Sequence, residues 1–118
     1  MAEAGLFIGW GSPYPGREMA SIKVFEEAVA YWGTLQTAGE IEGVEYALLG
    51  AHGGDLAGFA LLHGDPEKLG RLSMTPEFQR LVQRAGFCVR NVGVVRAWLG
   101  AGVVGMMAGW KEVVADLM

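Results

Sequence analysis

The sequence predicts an α+β fold whose elements run β-α-β-β-α-β, with one further helix after the last strand. Three observations predict it. Apolar runs of strand length are separated by Gly- and Pro-rich joints, long stretches carry apolar residues at steps of three and four, and two adjacent strand-like runs share one Gly-rich loop. At 118 residues the chain fits one domain, residues 1–118, with a hydrophobic core of its own.

Leu6-Phe7-Ile8-Gly9-Trp10 is a short apolar run closed by Gly11-Ser12-Pro13-Tyr14-Pro15-Gly16, the densest loop signal in the chain. It reads as a strand followed by an ordered loop. From Arg17 the period changes: Ile22, Phe25, Val29, Trp32 and Leu35 fall on one helical face, Lys23, Glu26 and Glu27 lie toward the other, and Gly39 supplies a stop. Val44–Leu49 and Leu56–His63 read as strands joined by Gly50-Ala51-His52-Gly53-Gly54-Asp55, an antiparallel hairpin with a longer loop. Asp65-Pro66 and Thr75-Pro76-Glu77 each read as an N-cap followed by proline in the first turn, so the second helical region has a break near Ser73. Phe78, Leu81, Val82 and Ala85 give it a core face and Gly86 ends it. Phe87–Leu99, rich in β-branched residues, reads as the last strand, and Val103, Met106, Trp110, Val113 and Leu117 form the apolar stripe of a terminal helix.

Composition narrows the function classes. Apolar residues make up 52% of the chain and charged residues 19%, more apolar than an average soluble domain. Such a small domain cannot hide that surface alone, which predicts a homodimer. The net charge is −4 and the cations are scattered singly, which argues against nucleic-acid binding. Ala97 to Trp110, the longest uncharged run, has 14 residues, short of the ~20 needed to span a bilayer. Glu3 stands where a signal peptide needs basic residues, so a soluble, cytoplasmic protein is expected. The single cysteine, Cys88, allows no internal disulfide and no metal cluster.

The element order is the split β-α-β of ferredoxin-like domains. Over roughly residues 5 to 100, and most locally in Leu61-Leu62-His63-Gly64-Asp65-Pro66-Glu67-Lys68-Leu69 and Met74-Thr75-Pro76-Glu77-Phe78, the chain resembles the dimeric α+β barrel proteins. These include YCII-like, antibiotic-monooxygenase-like and stress-responsive families. The resemblance implies a four-stranded antiparallel sheet with helices on one face and a second subunit on the other. A pocket would then lie between sheet and helices or inside the shared barrel. The YCII-like families use a His-Asp pair; no such motif aligns here beyond His63 near Asp65, and no catalytic residue carries over.

Gly100-Ala101-Gly102-Val103-Val104-Gly105 spells a dinucleotide signature, but only 13 residues follow Gly105, too few for the second strand and acid that the fold requires. It reads as a strand-to-helix joint, and no cofactor is expected. The loop from Gly9 to Arg17 has amides and a guanidinium for an anion, though its prolines already explain it as a shaped connection; Tyr14 is its candidate ligand contact. His52 in the hairpin loop and His63 at a strand end are the candidate acid–base groups, with an exposed loop imidazole and a hydrogen bond to the Asp65 turn as their structural readings. Eleven residues apart and without a carboxylate-rich neighbourhood, they do not make a metal site. Strand alternation places Val92, Val94, Arg96 and Trp98 on one face and Val95, Ala97 and Leu99 on the other. The smaller second face is assigned to the helices, which turns Arg96 toward the barrel side. There it pairs with Glu45 of a partner subunit or, less favoured, with an anionic ligand. Trp10 and Trp98, on neighbouring strands, are expected to line one cavity.

Two functions follow. The first is a small-molecule binder or enzyme, in its sharpest form a cofactor-free oxygenase or isomerase. It would hold an apolar or aromatic compound in a pocket bounded by Trp10, Tyr14, His63, Arg96 and Trp98, with Arg96 or a histidine orienting a polar group. The second is a non-catalytic module that self-associates through its sheet face and terminal helix.

Overall fold

A computed structural model describes residues 4–117. The elements are β1 (Ala4–Trp10), α1 (Glu18–Thr37), β2 (Gly43–Leu48), β3 (Gly58–Gly64), α2 (Pro66–Ser73), α3 (Pro76–Gly86), β4 (Gly93–Trp98) and α4 (Ala101–Val113), with a short 3₁₀ turn at Ala115–Leu117. The strands form one antiparallel sheet in the order β2-β3-β1-β4, so the first strand and the third fill the centre. The predicted order β-α-β-β-α-β is the observed one, with the second helical region broken into α2 and α3 at the expected place.

Local chemistry explains the boundaries. Asp65 Oδ2 accepts from the amides of Glu67 and Lys68, both at 3.1 Å, and Thr75 Oγ1 accepts from the Phe78 amide at 3.3 Å. Each cap satisfies helix-start donors that would otherwise lack partners. After α1 the chain turns through Gly39 at φ +79°.

One face of the sheet carries the core. Ala4, Leu6 and Ile8 of β1 and Ala60 and Leu62 of β3 are buried against Ala28 and Trp32 of α1, Leu69 and Leu72 of α2, and Phe78 of α3. The α1 face differs from the predicted stripe. Val24, Ala28 and Trp32 are its buried residues, while Ile22 is 52% exposed and Val29 37%. The small Ala28 leaves space between the helix and the sheet. Arg84 ties α3 to α1, donating from Nε and Nη2 to the two carboxylate oxygens of Glu27 at 3.0 Å each. Both side chains are more than a third exposed, so the bidentate pair orients the two helices more than it stabilises them.

The last strand is shorter than predicted and faces the other way. Residues 87–92 form the turn out of α3, where Val89 makes an isolated bridge with Pro13 and Asn91 sits at φ +57°. Within β4, Val94 and Arg96 lie opposite Ile8 and Leu6 and therefore share the helix-covered face. Val95 and Ala97 lie opposite Phe7 and Gly5 on the open face. This corrects the expectation that Arg96 points to the barrel side. Both sets of β4 side chains are mainly apolar, and alternation alone does not say which set meets the helices.

The open face bears Phe7 and Phe59, with ring centroids 5.2 Å apart, together with Leu61, Val95 and Ala97. No helix of the described residues covers it. The terminal helix α4 has no buried residue and meets its own domain mainly at β4.

Candidate functional site

The helices meet the sheet unevenly, and the gap is a cleft of about 410 Å³ between β1, α1 and α3. Four aromatic side chains line it: Trp10 at the end of β1, Phe25 and Trp32 on α1, and Phe78 on α3. Phe25 and Trp32 are seven residues apart, two helical turns, and so share one side of α1. Ala28 lies between them and leaves the space that a larger residue would fill. Pro13 and the buried Cys88 close the end beside Gly11.

The rings form a continuous chain. Trp10 and Phe25 lie 5.7 Å apart between centroids, Phe25 and Tyr46 6.0 Å, and Tyr46 and Trp32 5.9 Å. Trp32 is 2% exposed, and its Nε1–H has no acceptor among the described residues. An unpaired buried donor costs about 1–3 kcal/mol, which is unusual in a core position that could have held phenylalanine. Among groups that do chemistry, Ser21 and Cys88 line the cleft. The Ser21 hydroxyl is already committed to donating to the Glu18 carbonyl at 2.6 Å.

Tyr46 belongs to the same ring chain, and burial raises its phenol above the ordinary value of 10.0. The fold therefore favours the neutral phenol. That contribution to stability is complete below about pH 10 and is lost as pH rises through the folded value. Tyr46→Phe is expected to lose less stability than the parent between about pH 9 and pH 11, measured by the urea midpoint. Equal losses would show that the hydroxyl is not held in its neutral form by the fold.

A second cavity of about 520 Å³ lies at the other end of the covered face, between β1, β4, α2 and α3. Its polar lining includes Arg96, Gln79 and Gln83. Phe78 and Val82 border both cavities and stand between them.

The structure separates the residues that the sequence grouped. Trp10 lines the aromatic cleft, and Arg96 lines the second cavity. Trp98 opposes Ala4 at one end of the β1–β4 pair, whereas Trp10 is at the other end, so the two do not line one cavity. Tyr14 is 40% exposed and carries the Arg90 guanidinium 5.0 Å from its ring centroid, a cation–π contact at the loop rather than a cover over the cleft. Arg96 makes no salt bridge among the described residues, and the pairing expected with Glu45 does not fit the sheet: the two residues lie on opposite faces.

Glu45 instead meets His63, its Oε2 2.5 Å from His63 Nε2 on the open face. Asp65, the other acid near His63, is spent on capping α2. His52 is held as a loop staple: the Gly54 amide donates to its Nδ1 at 3.2 Å, so Nε2 carries the proton and donates to the Leu56 carbonyl at 2.8 Å. Both ring nitrogens are engaged within the loop. No group of three or more metal-binding side chains gathers among the described residues, and no helix among them is long and apolar enough to cross a membrane.

Phe25, Tyr46 and Trp32 are not among the site residues that the sequence predicts; Phe25 and Trp32 stand there only in the apolar stripe of the first helix. The available signal was the pair Phe25 and Trp32 flanking a small residue on one helix face.

No family model matches the chain, and no curated protein matches it. Among solved structures it is similar to a dimeric protein of unknown function and ferredoxin-like fold from Bacteroides fragilis NCTC 9343, with a TM-score of 0.57 and 12% sequence identity. The likeness covers 81% of this chain and 96% of that one. Taken with the strand order β2-β3-β1-β4 and the helices on a single face, it shows that this chain has a ferredoxin-like α+β fold.

Proposed function

We propose that this protein binds a small, planar, apolar or aromatic molecule in the cleft walled by Trp10, Phe25 and Trp32, and that it does so as a homodimer of the α+β barrel type. The observation that carries the reading is the cleft itself, about 410 Å³ of mainly apolar space beside a chain of aromatic rings. Its volume lies within the range of small-molecule pockets, about 300–1,000 Å³. Flat rings along the walls favour a flat guest. A guest with a carbonyl or ether oxygen would bring an acceptor into the neighbourhood of the unpaired Trp32 N–H.

The dimeric part rests on the open sheet face, where Phe7, Phe59 and Leu61 are half-buried and Val95 is exposed. The Bacteroides fragilis protein of similar fold is described as dimeric. The kinship proposed is with the YCII-like and antibiotic-monooxygenase-like barrels. The proposal is of binding: neither Ser21 nor Cys88 has an acid or base hydrogen-bonded to it among the described residues. The alternative of a ligand-free self-associating module draws on the same open face and would leave the cleft without a guest.

Thermal-shift titration with 1-naphthol and 1,4-naphthoquinone tests the reading. Both are expected to raise the melting temperature of the parent, and Ala28→Leu, which fills the cleft, is expected to weaken that response at least tenfold. Ile22→Trp, at the half-exposed mouth, is the second variant should the buried substitution disturb folding. A parent protein that responds to neither probe, or variants that respond as the parent does, would sink it.

A further inference from the structure

Helix α4 has little support within its own chain. It runs for 13 residues and contains Gly102, Gly105 and Gly109. Each costs about 1 kcal/mol of helix propensity relative to alanine, and isolated helices below about 12–15 residues are marginal in water even when alanine-rich. Its N-cap, Gly100, offers no side-chain cap, and no acid stands in its first turn. Tertiary packing would normally make good that deficit, yet no residue of α4 is buried, and the helix packs mainly on β4 and the following turn, with only Gly102, Met106 and Gly109 half-buried. The helix stands off the body. The Cα radius of gyration is 16.1 Å and the long axis 52 Å, against about 13–14 Å expected for the radius of a compact chain of this length.

The surface that α4 displays is apolar. Val104 is 69% exposed, Met107 51%, Trp110 58%, Val113 72% and, just beyond, Leu117 75%. This surface runs on from the open sheet face. Val95 and Ala97 of β4 lie on that face, and the Leu99 side chain reaches over Gly5 beside Leu61. Gly100 then turns the chain at φ +52° and ψ −121°, a conformation that a residue with a Cβ adopts only under strain.

We propose that α4 is an exchange arm that docks on a second copy of this chain, each protomer's arm being covered by the other. The proposal rests on the two-copy part of the function proposed above and adds the element that closes the interface. Three observations choose the occupant. The arm leaves Val104, Met107, Trp110, Val113 and Leu117 each more than half exposed, and Val95 of the open face is exposed too. These side chains offer roughly several hundred Å² per protomer, on the order of the ~800 Å² that one partner contributes to a standard interface. The arm follows directly on β4, whose Val95 and Ala97 lie on the open face with the Leu99 side chain beside them, so one symmetric association can bury both. An anionic bilayer is a poor match, since the chain is acidic and α4 with its turn carries Lys111 against Glu112 and Asp116.

The test compares the full-length parent with Trp110→Glu/Val113→Glu in the arm and Val95→Glu on the sheet face, all exposed positions. Sedimentation equilibrium reads the dimer dissociation constant, and hydrogen exchange reads the α4 amides at concentrations above and below it. A dimeric parent is expected, with α4 amides protected in the dimer and exposed on dilution, and at least a hundredfold weaker dimer in the arm variant. Val95→Glu alone weakening the dimer, with α4 unprotected throughout, would overturn the arm and leave the sheet-face dimer standing. A monomeric parent at tens of micromolar would overturn both. Protection of α4 appearing only with phosphatidylcholine/phosphatidylglycerol vesicles would overturn the second copy in favour of a membrane surface. The dilution series on the unaltered protein decides the matter even if a variant fails to fold.

Discussion

Phe78→Ala is expected to lower stability by about 3–5 kcal/mol, on the order of 10–20 °C in melting temperature, and to join the two cavities into one. Phe78 is 2% exposed and is among the largest fully buried side chains of the chain. It opens α3 just after the Thr75 cap and borders both the aromatic cleft and the cavity that holds Arg96. Removing its ring deletes the central contact between α3 and the sheet, and it also removes the partition. The destabilised variant should accept bulkier guests than the parent. Calorimetry gives the loss, and thermal shifts with 1-naphthol and with a three-ring analogue give the change in size preference. A loss below about 1 kcal/mol would mean that α3 settles into the space and that the partition is not Phe78.

Gly11→Val is the second large effect, and it arises from backbone rather than core. A Cβ at Gly11 would lie 2.9 Å from the Arg90 carbonyl oxygen and 3.0 Å from that of Asp55. Both are main-chain atoms, so neither can turn aside. The Gly11 amide donates to that same Arg90 carbonyl at 2.6 Å, joining the end of β1 to the segment before β4. The substitution should force the two segments apart at a cost of about 1–3 kcal/mol. Because Gly11 also borders the cleft, binding of 1-naphthol should fall with stability. Gly11→Ala should show the same direction to a smaller extent. A Gly11→Val protein with parent-like stability would show that this close approach is not required.

The fold was largely legible because its boundaries are chemical. Asp65-Pro66 and Thr75-Pro76 mark helix starts by the hydrogen bonds that Asp65 and Thr75 make, and Gly39 marks an end by its positive φ. Facing was less legible. Both sides of β4 are rich in valine, so alternation sorted its residues into two sets without saying which set the helices cover. Arg96 lies on the covered face because that end of the sheet borders a cavity rather than close-packed core. On α1 the apolar stripe pointed roughly 60° away from the buried face, since Ala28 counts for little as a hydrophobe and for much as a gap.

The candidate site was harder to read for a related reason: it is defined by what is missing between large residues. Trp10 stood out by its size. Trp32 was visible only as a core tryptophan, and its unpaired N–H becomes apparent once every neighbour is in place. The Glu45–His63 contact depends on the β2–β3 register, with Gly43 opposite His63 and Glu45 opposite Leu61. A hairpin loop of uncertain length does not reveal that register in advance.

The strand order also constrains how the chain is made. β1 leads the elements, yet it lies between β3 and β4, and its Ala4 pairs with Gly64 on one side and Trp98 on the other. During synthesis this apolar strand emerges long before the segment that closes its second edge. Until then one of its flat sides, and one row of its amides and carbonyls, are open to other chains. Such non-local pairing also slows folding, because a long loop must close before its contacts form. A nascent chain halted before β4 should therefore draw chaperones and aggregate, whereas one halted just after β4 has every partner that its central strand requires.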